Sequence, residues 1–290
     1  MELVVAFKPE KGCAWSCELH RASVDDVLAV VAAGPHKMFG DALATCLKNA
    51  AFTKNSKMVQ ALLSMPDKWT PTAEEADNAL DCAAEASDLR CVEELMGACP
   101  MITPRGFTRA LIAAVFNAGA DYPREAVDEA KRIVTRLLQD GRADRVQALM
   151  HYLNDEYEDE DVKRIGDCVG VCVLLAPELG WVPTVEVAEM TLHTAAVVNN
   201  HSACTETILE LCPQITAHAC SRMLDTLVQE SCCAASRVEV VEALLKDGRA
   251  VPSKETLIAV AQRGGCAEMR LFAPHFATAL TALTTETTAL

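Results

Sequence analysis

Apolar side chains recur along this chain in groups of three, in which the second and third members follow the first by three and four residues. That spacing places all three on one face of an α-helix. The groups begin at Val27, Val59, Val92, Val134, Val171, Ile208, Val241 and, in a weaker form, Met269. Because successive groups start 28 to 42 residues apart, the pattern predicts a helical repeat protein.

A second pattern, L-x-x-A-A, comes before the apolar group in several repeats. It begins at Leu47, Leu80 and Leu192, with a near match at Leu257. Paired alanines let a neighbouring helix approach closely, and the leucine fills the gap. Each repeat is therefore expected to be a hairpin of a small-residue first helix, a turn and a larger-residue second helix.

The second helices also carry a stop signal. The sequence V-x-x-L-L-x-D-G-R-A occurs twice, with its glycine at Gly141 and at Gly248. Glycine is common directly after a helix because it adopts the left-handed conformation without a steric penalty. Leu244, in the second copy, is expected on the buried face of its helix.

The stretches TLHTAA, Thr191 to Ala196, and RVEVVEALLKDG, Arg237 to Gly248, resemble the two halves of an ankyrin repeat. The resemblance covers residues 15–275 in degenerate form, because the proline of T-P-L-H is missing and the glycine between the two helices is mostly replaced. Residues 117–130 insert extra helix-forming sequence. The resemblance implies an all-α solenoid of seven to eight stacked hairpins, in which the ring of His193 hydrogen-bonds near the turn.

A second helical-hairpin family stays open. In WTPTAEEADNALDCAAEA, Trp69 to Ala86, and in GWVPTVEVAEMTLHTAA, Gly180 to Ala196, a proline turn precedes the first helix. These stretches look like the pentatricopeptide family, whose helix pairs read single-stranded RNA.

The repeats suggest boundaries along the chain. Residues 1–16 are expected to be a leader, residues 17–276 the solenoid, and residues 277–290 a tail rich in threonine and alanine. A charge run within the solenoid suggests a break near residues 155–165.

Composition narrows the function classes. Apolar residues make up 51% of the chain but aromatic residues only 4%, which favours helices over strands. The net charge of −15 argues against nucleic acid as a partner and suits a basic protein partner. We find no apolar run long enough for a membrane span. Fourteen cysteines without a secretory signal predict a reducing compartment, the cytoplasm or the nucleus.

Candidate chemistry is sparse. Cys13, Cys17 and His20 have a spacing that can hold zinc, but cysteine is common throughout this chain. Cys172, four residues after Cys168, is expected in a helical core. The sequence contains no nucleophile elbow, phosphate-binding loop or H-E-x-x-H motif. We therefore expect no catalytic residue, no metal and no cofactor.

Two features are candidates for binding a partner. Trp69 and Trp181 each precede a proline turn, and tryptophan is common among the residues that dominate protein interfaces. The acidic run DEYEDED contributes Asp155, Glu156, Glu158 and Asp159. The sequence thus predicts a non-enzymatic interaction or scaffold module, such as a structural subunit of a larger assembly. An RNA-binding helical repeat and a helical enzyme without a recognisable motif remain the alternatives.

Overall fold

A computed structural model describes residues 40–65, 69–119, 124–154, 169–176, 180–229, 235–263 and 269–278. Within these residues the regular structure is helical and contains no strand, so the expected all-α class is confirmed there. The chain divides between Ala148 and Leu149 into two compact units. The predicted leader, the predicted break near residues 155–165 and residues 279–290 of the tail lie outside the described residues.

The described residues of the first unit form three helical hairpins that pack on one another in chain order. Its helices are α1 (Gly40–Phe52), α2 (Ser56–Leu63), α3 (Ala73–Glu85), α4 (Leu89–Ala98), α5 (Pro104–Gly119) and α6 (Arg124–Asp140). The first helices α1, α3 and α5 contact one another in sequence, and the second helices α2, α4 and α6 do the same. The long α5 and α6 account for the expected insertion at residues 117–130.

The chain divides within the next helix, α7 (Arg145–Asn154). The second unit continues with α8 (Val169–Leu174), α9 (Val185–His193), a π-helical turn (Thr194–Val198), α10 (Ser202–Leu211), α11 (Ala217–Gln229), α12 (Ala235–Asp247) and α13 (Lys254–Arg263). Residues 269–278 are also helical. Among the first helices of the hairpins, the π-helical turn that continues α9 contacts α11, and α11 contacts α13. The second helices α8, α10 and α12 contact one another in sequence.

The two sequence patterns form the interiors of these hairpins. Apolar burial of this kind is the main force that holds helices together. The buried pattern positions are Leu47, Val59, Leu80, Val92, Val134, Leu192, Val241 and Leu244.

Backbone geometry explains how the hairpins turn. Lys54, Ser87 and Asn200 have φ values of 59°, 54° and 53°, and each lies between the first and second helix of its hairpin. Left-handed residues therefore occupy the turns where glycine is missing from the sequence. The second helices α6 and α12 end before Gly141 and Gly248, both at φ 82°, which confirms the predicted stop signal.

Candidate functional site

Polar bonds between consecutive hairpins hold the first helices in register. Asp77 lies five residues after Thr72, which caps α3, and its carboxylate accepts the backbone N–H of Thr103 at 2.8 Å and the hydroxyl of Thr103 at 2.6 Å. Thr103 in turn caps α5, because its Oγ1 accepts the N–H of Gly106. The carboxylate thus lies at the N-terminus of the next first helix, where negative charge is favourable.

The same relationship recurs in the second unit. Glu189 lies five residues after the cap residue Thr184, and it accepts the N–H of Thr216 at 3.3 Å and its hydroxyl at 2.6 Å. In two other hairpins a hydroxyl takes the place of the carboxylate. Thr108 accepts the N–H of Asp144, and Ser221 accepts the N–H of Val251.

A second set of bonds caps the C-terminal carbonyls of the first helices. Asn117 of α5 donates to the carbonyl of Glu85 at the end of α3 at 2.7 Å. Asn199 donates to the carbonyl of Leu153 at the end of α7. Arg263 of α13 donates to carbonyls at the end of α11. Each cap comes from the next first helix described along the chain, so these polar side chains tie consecutive hairpins together.

The arginine of the D-G-R-A sequence performs this capping for the second helices. Arg249 binds the carboxylate of Asp247 through Nε at 2.7 Å and through Nη2 at 2.8 Å. Its guanidinium also donates to the carbonyls of Leu209, Cys212 and Ile215 at 2.6, 3.2 and 3.3 Å. These carbonyls lie at and after the end of α10. The D-G-R sequence therefore ends the second helix α12 and caps α10, the second helix of the preceding hairpin.

Arg142 occupies the same place in the first unit. It binds Asp140 through Nε at 2.5 Å and donates to the carbonyl of Ile102 at 3.3 Å. Its guanidinium also lies over the ring of Phe107, 3.9 Å from the centroid. The hydrogen bonds from each arginine hold the pKa of Asp140 and of Asp247 below the ordinary aspartate range.

Exposed apolar side chains are concentrated on one hairpin of the second unit. Among the described residues, eight large apolar side chains are exposed, and four of them belong to the short stretch from Val182 to Val198. These four are Val182, Val185, Met190 and Val198, with exposed fractions of 75%, 42%, 42% and 57%. Together with the exposed Glu186 and His193, they form what we call the α9 face. Clustered exposure is typical of binding surfaces, whereas single exposed apolar residues are ordinary.

The π-helical turn helps to form this face. Its wide turn is closed by the bond from the N–H of Asn199 to the carbonyl of Thr194, five residues earlier. One α-helical turn followed by one π-helical turn spans about eight residues. Val198 therefore lies roughly above Met190, whereas an uninterrupted α-helix would turn it toward another side.

The neighbouring first helix does not continue the apolar surface. On α11, which contacts the π-helical turn, the exposed positions include His218, Arg222 and Gln229. The α9 face is therefore bordered by polar residues on the side of α11.

Charge is distributed unevenly along the sequence. Residues 149–290 contain 20 acidic and 9 basic side chains, so they carry most of the net charge of −15. Among the described basic side chains, Lys246 bonds to Glu206, Arg249 to Asp247, and Arg263 to carbonyls of α11. Among the described residues of this unit, nine acidic and seven basic side chains nearly balance.

The structure locates some of the residues singled out from the sequence. Trp181 is half-buried and precedes Val182 of the α9 face, and Trp69 is half-buried in the first unit. The expected hydrogen bond of His193 is not found: its ring is exposed and has no hydrogen-bond partner among the described residues. This correction follows from its position, because His193 faces solvent at the end of α9. The residues that lie outside the described ranges are Cys13, Cys17, His20, Asp155, Glu156, Glu158, Asp159 and Cys168.

The described cysteines are mostly buried thiols. Burial raises the pKa of Cys46, Cys99 and Cys212 to about 11, which keeps them protonated. Cys172 is half-buried on α8. In the described part of the chain we find no disulfide and no group of three side chains arranged to hold a metal ion.

A groove in the first unit lies between α4 and α6. Its lining mixes acidic and basic side chains, including Glu93, Glu94, Arg90 and Arg132. Glu129 at its edge already accepts the N–H of Leu89 and a hydrogen bond from Arg132.

No helix among the described residues is long and apolar enough to cross a membrane.

Comparison of the chain with protein-family models, with curated proteins and with solved structures gives no match.

Proposed function

We propose that the chain is a non-enzymatic protein-interaction module that binds its partner through the α9 face. The observation that carries this proposal is that half of the large exposed apolar side chains in the described residues lie between Val182 and Val198. Water contact with such a strip is unfavourable, and a partner that covers it gains the free energy of apolar burial. The half-buried Trp181 at its edge supplies a further anchor.

We further propose that the hairpins form an ankyrin-like solenoid, which acts as a rigid scaffold for this face. The contacts of first helix with first helix and second helix with second helix support the proposal within each unit. The repeated bonds at Asp77, Thr108, Glu189 and Ser221 support it as well. In a solenoid each repeat buries its apolar side against its neighbours, which leaves other surfaces available for partners.

Site-specific photo-crosslinking tests the function. A benzoylphenylalanine replaces Met190 on the α9 face or, as the matched control, Glu242, which is exposed on α12. Both variants are irradiated in nuclease-treated lysate of the source cells, and the adducts are identified by mass spectrometry. We expect a discrete protein adduct from position 190 that is absent from position 242. Equal adducts from both positions, or none from position 190, would contradict the proposal.

A further inference from the structure

We infer that the hairpin of α9 and α10 has two registers, which differ in whether Asn200 or Asn199 takes the left-handed position of the turn. Only the described register, with Asn200 left-handed and the π-helical turn present, directs Val198 to the α9 face. The role of this switch in binding rests on the function proposed above, because a partner that covers Val198 selects one register.

The turn of this hairpin holds one residue more than the turns of the first two hairpins of the first unit. The left-handed residue follows the leucine of the L-x-x-A-A pattern by seven positions at Lys54 and Ser87, but by eight at Asn200. In all three hairpins the next residue donates its N–H to the first alanine of that pattern; the bonds are Asn55 to Ala50, Asp88 to Ala83 and His201 to Ala195. The π-helical turn therefore accommodates one extra residue within an otherwise shared frame.

The described register leaves a good capping side chain unused. The side chains of Asn55 and Asp88 cap α2 and α4. Within the described part of the chain, α10 begins after His201 without a side-chain capping bond, and Oδ1 of Asn200 is buried without a hydrogen-bond partner. Asparagine is among the best N-cap residues, and a buried acceptor without a donor is unfavourable.

A shift of one residue reverses this situation. If Asn199 becomes left-handed, it follows Leu192 by seven positions, as in the other two hairpins. Asn200 then becomes the N-cap of α10, and its amide oxygen can accept an N–H of the first turn, as that of Asn55 does. Asparagine adopts left-handed geometry more readily than most residues, so position 199 tolerates the change.

One bond favours the described register. The side-chain amide of Asn199 donates to the carbonyl of Leu153 at the end of α7, and a left-handed backbone at position 199 redirects that side chain. Each register thus uses one of the two asparagine side chains. We therefore expect the second register to be a minor state, populated to about a few per cent.

The shift changes which valine is exposed. Five positions after the leucine, Phe52 and Glu85 are exposed, whereas the equivalent Val197 is half-buried. Val198, by contrast, is 57% exposed. In the second register Val197 takes the exposed position, and Val198 turns out of line with Met190. The α9 face loses one end.

Nuclear magnetic resonance of the full chain tests the switch. The Cα shift of His201 is the readout, because this residue is extended in the described register and becomes the first helical residue in the second. Saturation transfer detects such a minor state when exchange is slow enough. Asn199→Gly should raise its population about fivefold, because glycine takes the left-handed position and the bond to Leu153 is removed. Asn200→Gly should lower it by a similar factor.

Ala86→Gly is the matched control, because Ala86 precedes the left-handed Ser87 in a hairpin without the extra residue. Asp88 should stay extended in that variant. A soluble nitroxide reports the exposure of the valine methyl groups. The excess broadening of Val198 over Val197 should shrink in Asn199→Gly and persist in Asn200→Gly. Val251 and Ile258, which are exposed outside the α9 face, should not change.

Three outcomes would overturn the two-register hairpin. They are an extended His201 without a second state in every variant, an equal response to the two glycine substitutions, and the same second state in Ala86→Gly. The register is measured without a partner, so its failure is distinct from failure of the proposed function. A single register with a discrete adduct from position 190 removes only the switch. Two registers without an adduct keep the switch and remove its role in binding.

Discussion

The carboxylate of Asp77 receives both the backbone N–H and the hydroxyl of Thr103, a residue that lies 26 positions later in the chain. Asp77 is 8% exposed and belongs to α3, whereas Thr103 caps α5. The close approach needs glycine nearby, because a Cβ on Gly106 would lie 2.2 Å from the Asp77 carboxylate. One side chain therefore aligns two consecutive hairpins.

Replacing Asp77 with alanine is expected to lower the free energy of unfolding by about 2 kcal/mol, because the N–H of Thr103 loses its buried acceptor. The matched control is Glu74→Ala, which removes an exposed carboxylate from the same helix. Urea unfolding followed by circular dichroism measures both. Equal loss in the two variants would mean that Asp77 does not hold the register.

Arg249→Met should also destabilise the chain by about 2 kcal/mol. The substitution keeps much of the aliphatic stem but removes the donors that bind Asp247 and three carbonyls around the end of α10. Arg222→Met, at an exposed position of α11, is the control and should stay close to wild type. The account of D-G-R as a helix-to-helix cap would be wrong if both variants unfolded at the wild-type urea concentration.

Acid should weaken the same caps. The folded-state pKa values of Asp140 and Asp247 lie below the ordinary value, mainly because Arg142 and Arg249 donate hydrogen bonds to them. Their stabilisation is therefore complete above the unfolded-state pKa of about 3.9 and is lost as the pH falls through the folded-state values. Urea midpoints across this range should decline less steeply in Asp140→Asn/Asp247→Asn than in wild type. Parallel curves for the two proteins would contradict this assignment.

Lys54→Gly should stabilise the chain by about 1 kcal/mol, because Lys54 adopts a left-handed φ of 59° that costs a residue with a Cβ. Gly248→Ala should have the opposite effect, because φ there is 82°, even though the added Cβ would meet no atom within 4 Å. Thermal unfolding of the two variants measures the pair. A lower melting temperature for Lys54→Gly would show that the contacts of the Lys54 side chain stabilise the chain by more than its left-handed backbone conformation costs.

Much of the local structure follows from the sequence because it depends on residues close together in the chain. The spacing of Leu80 and Val92 predicts two helices, and both side chains are fully buried in them. Gly141 and Gly248 mark helix ends because left-handed geometry favours glycine locally. The cap residue Thr72 with Glu75 three positions later is also a readable signal, and it forms a capping box.

The long-range bonds could not be predicted in the same way. The pattern D-G-R-A shows where a helix stops, but the carbonyls to which Arg249 donates lie 34 to 40 residues earlier. The α9 face escaped prediction for a related reason. Val182, Val185 and Val198 have the composition of core residues, and only packing shows that they are exposed. Trp181, which the sequence singles out as a candidate anchor, directly precedes Val182, and its binding role stays a prediction.

The binding role of the α9 face is tested most directly by the affinity of the chain for the partner that crosslinks at position 190. Isothermal titration compares wild type with Met190→Ser/Val198→Ser and with the control Val251→Ser/Ile258→Ser, all checked for equal melting temperature. We predict that the affinity falls about tenfold in the first variant and stays within about twofold in the control. Wild-type affinity in the first variant, or the same loss in both, would contradict the assignment of this face as the binding site.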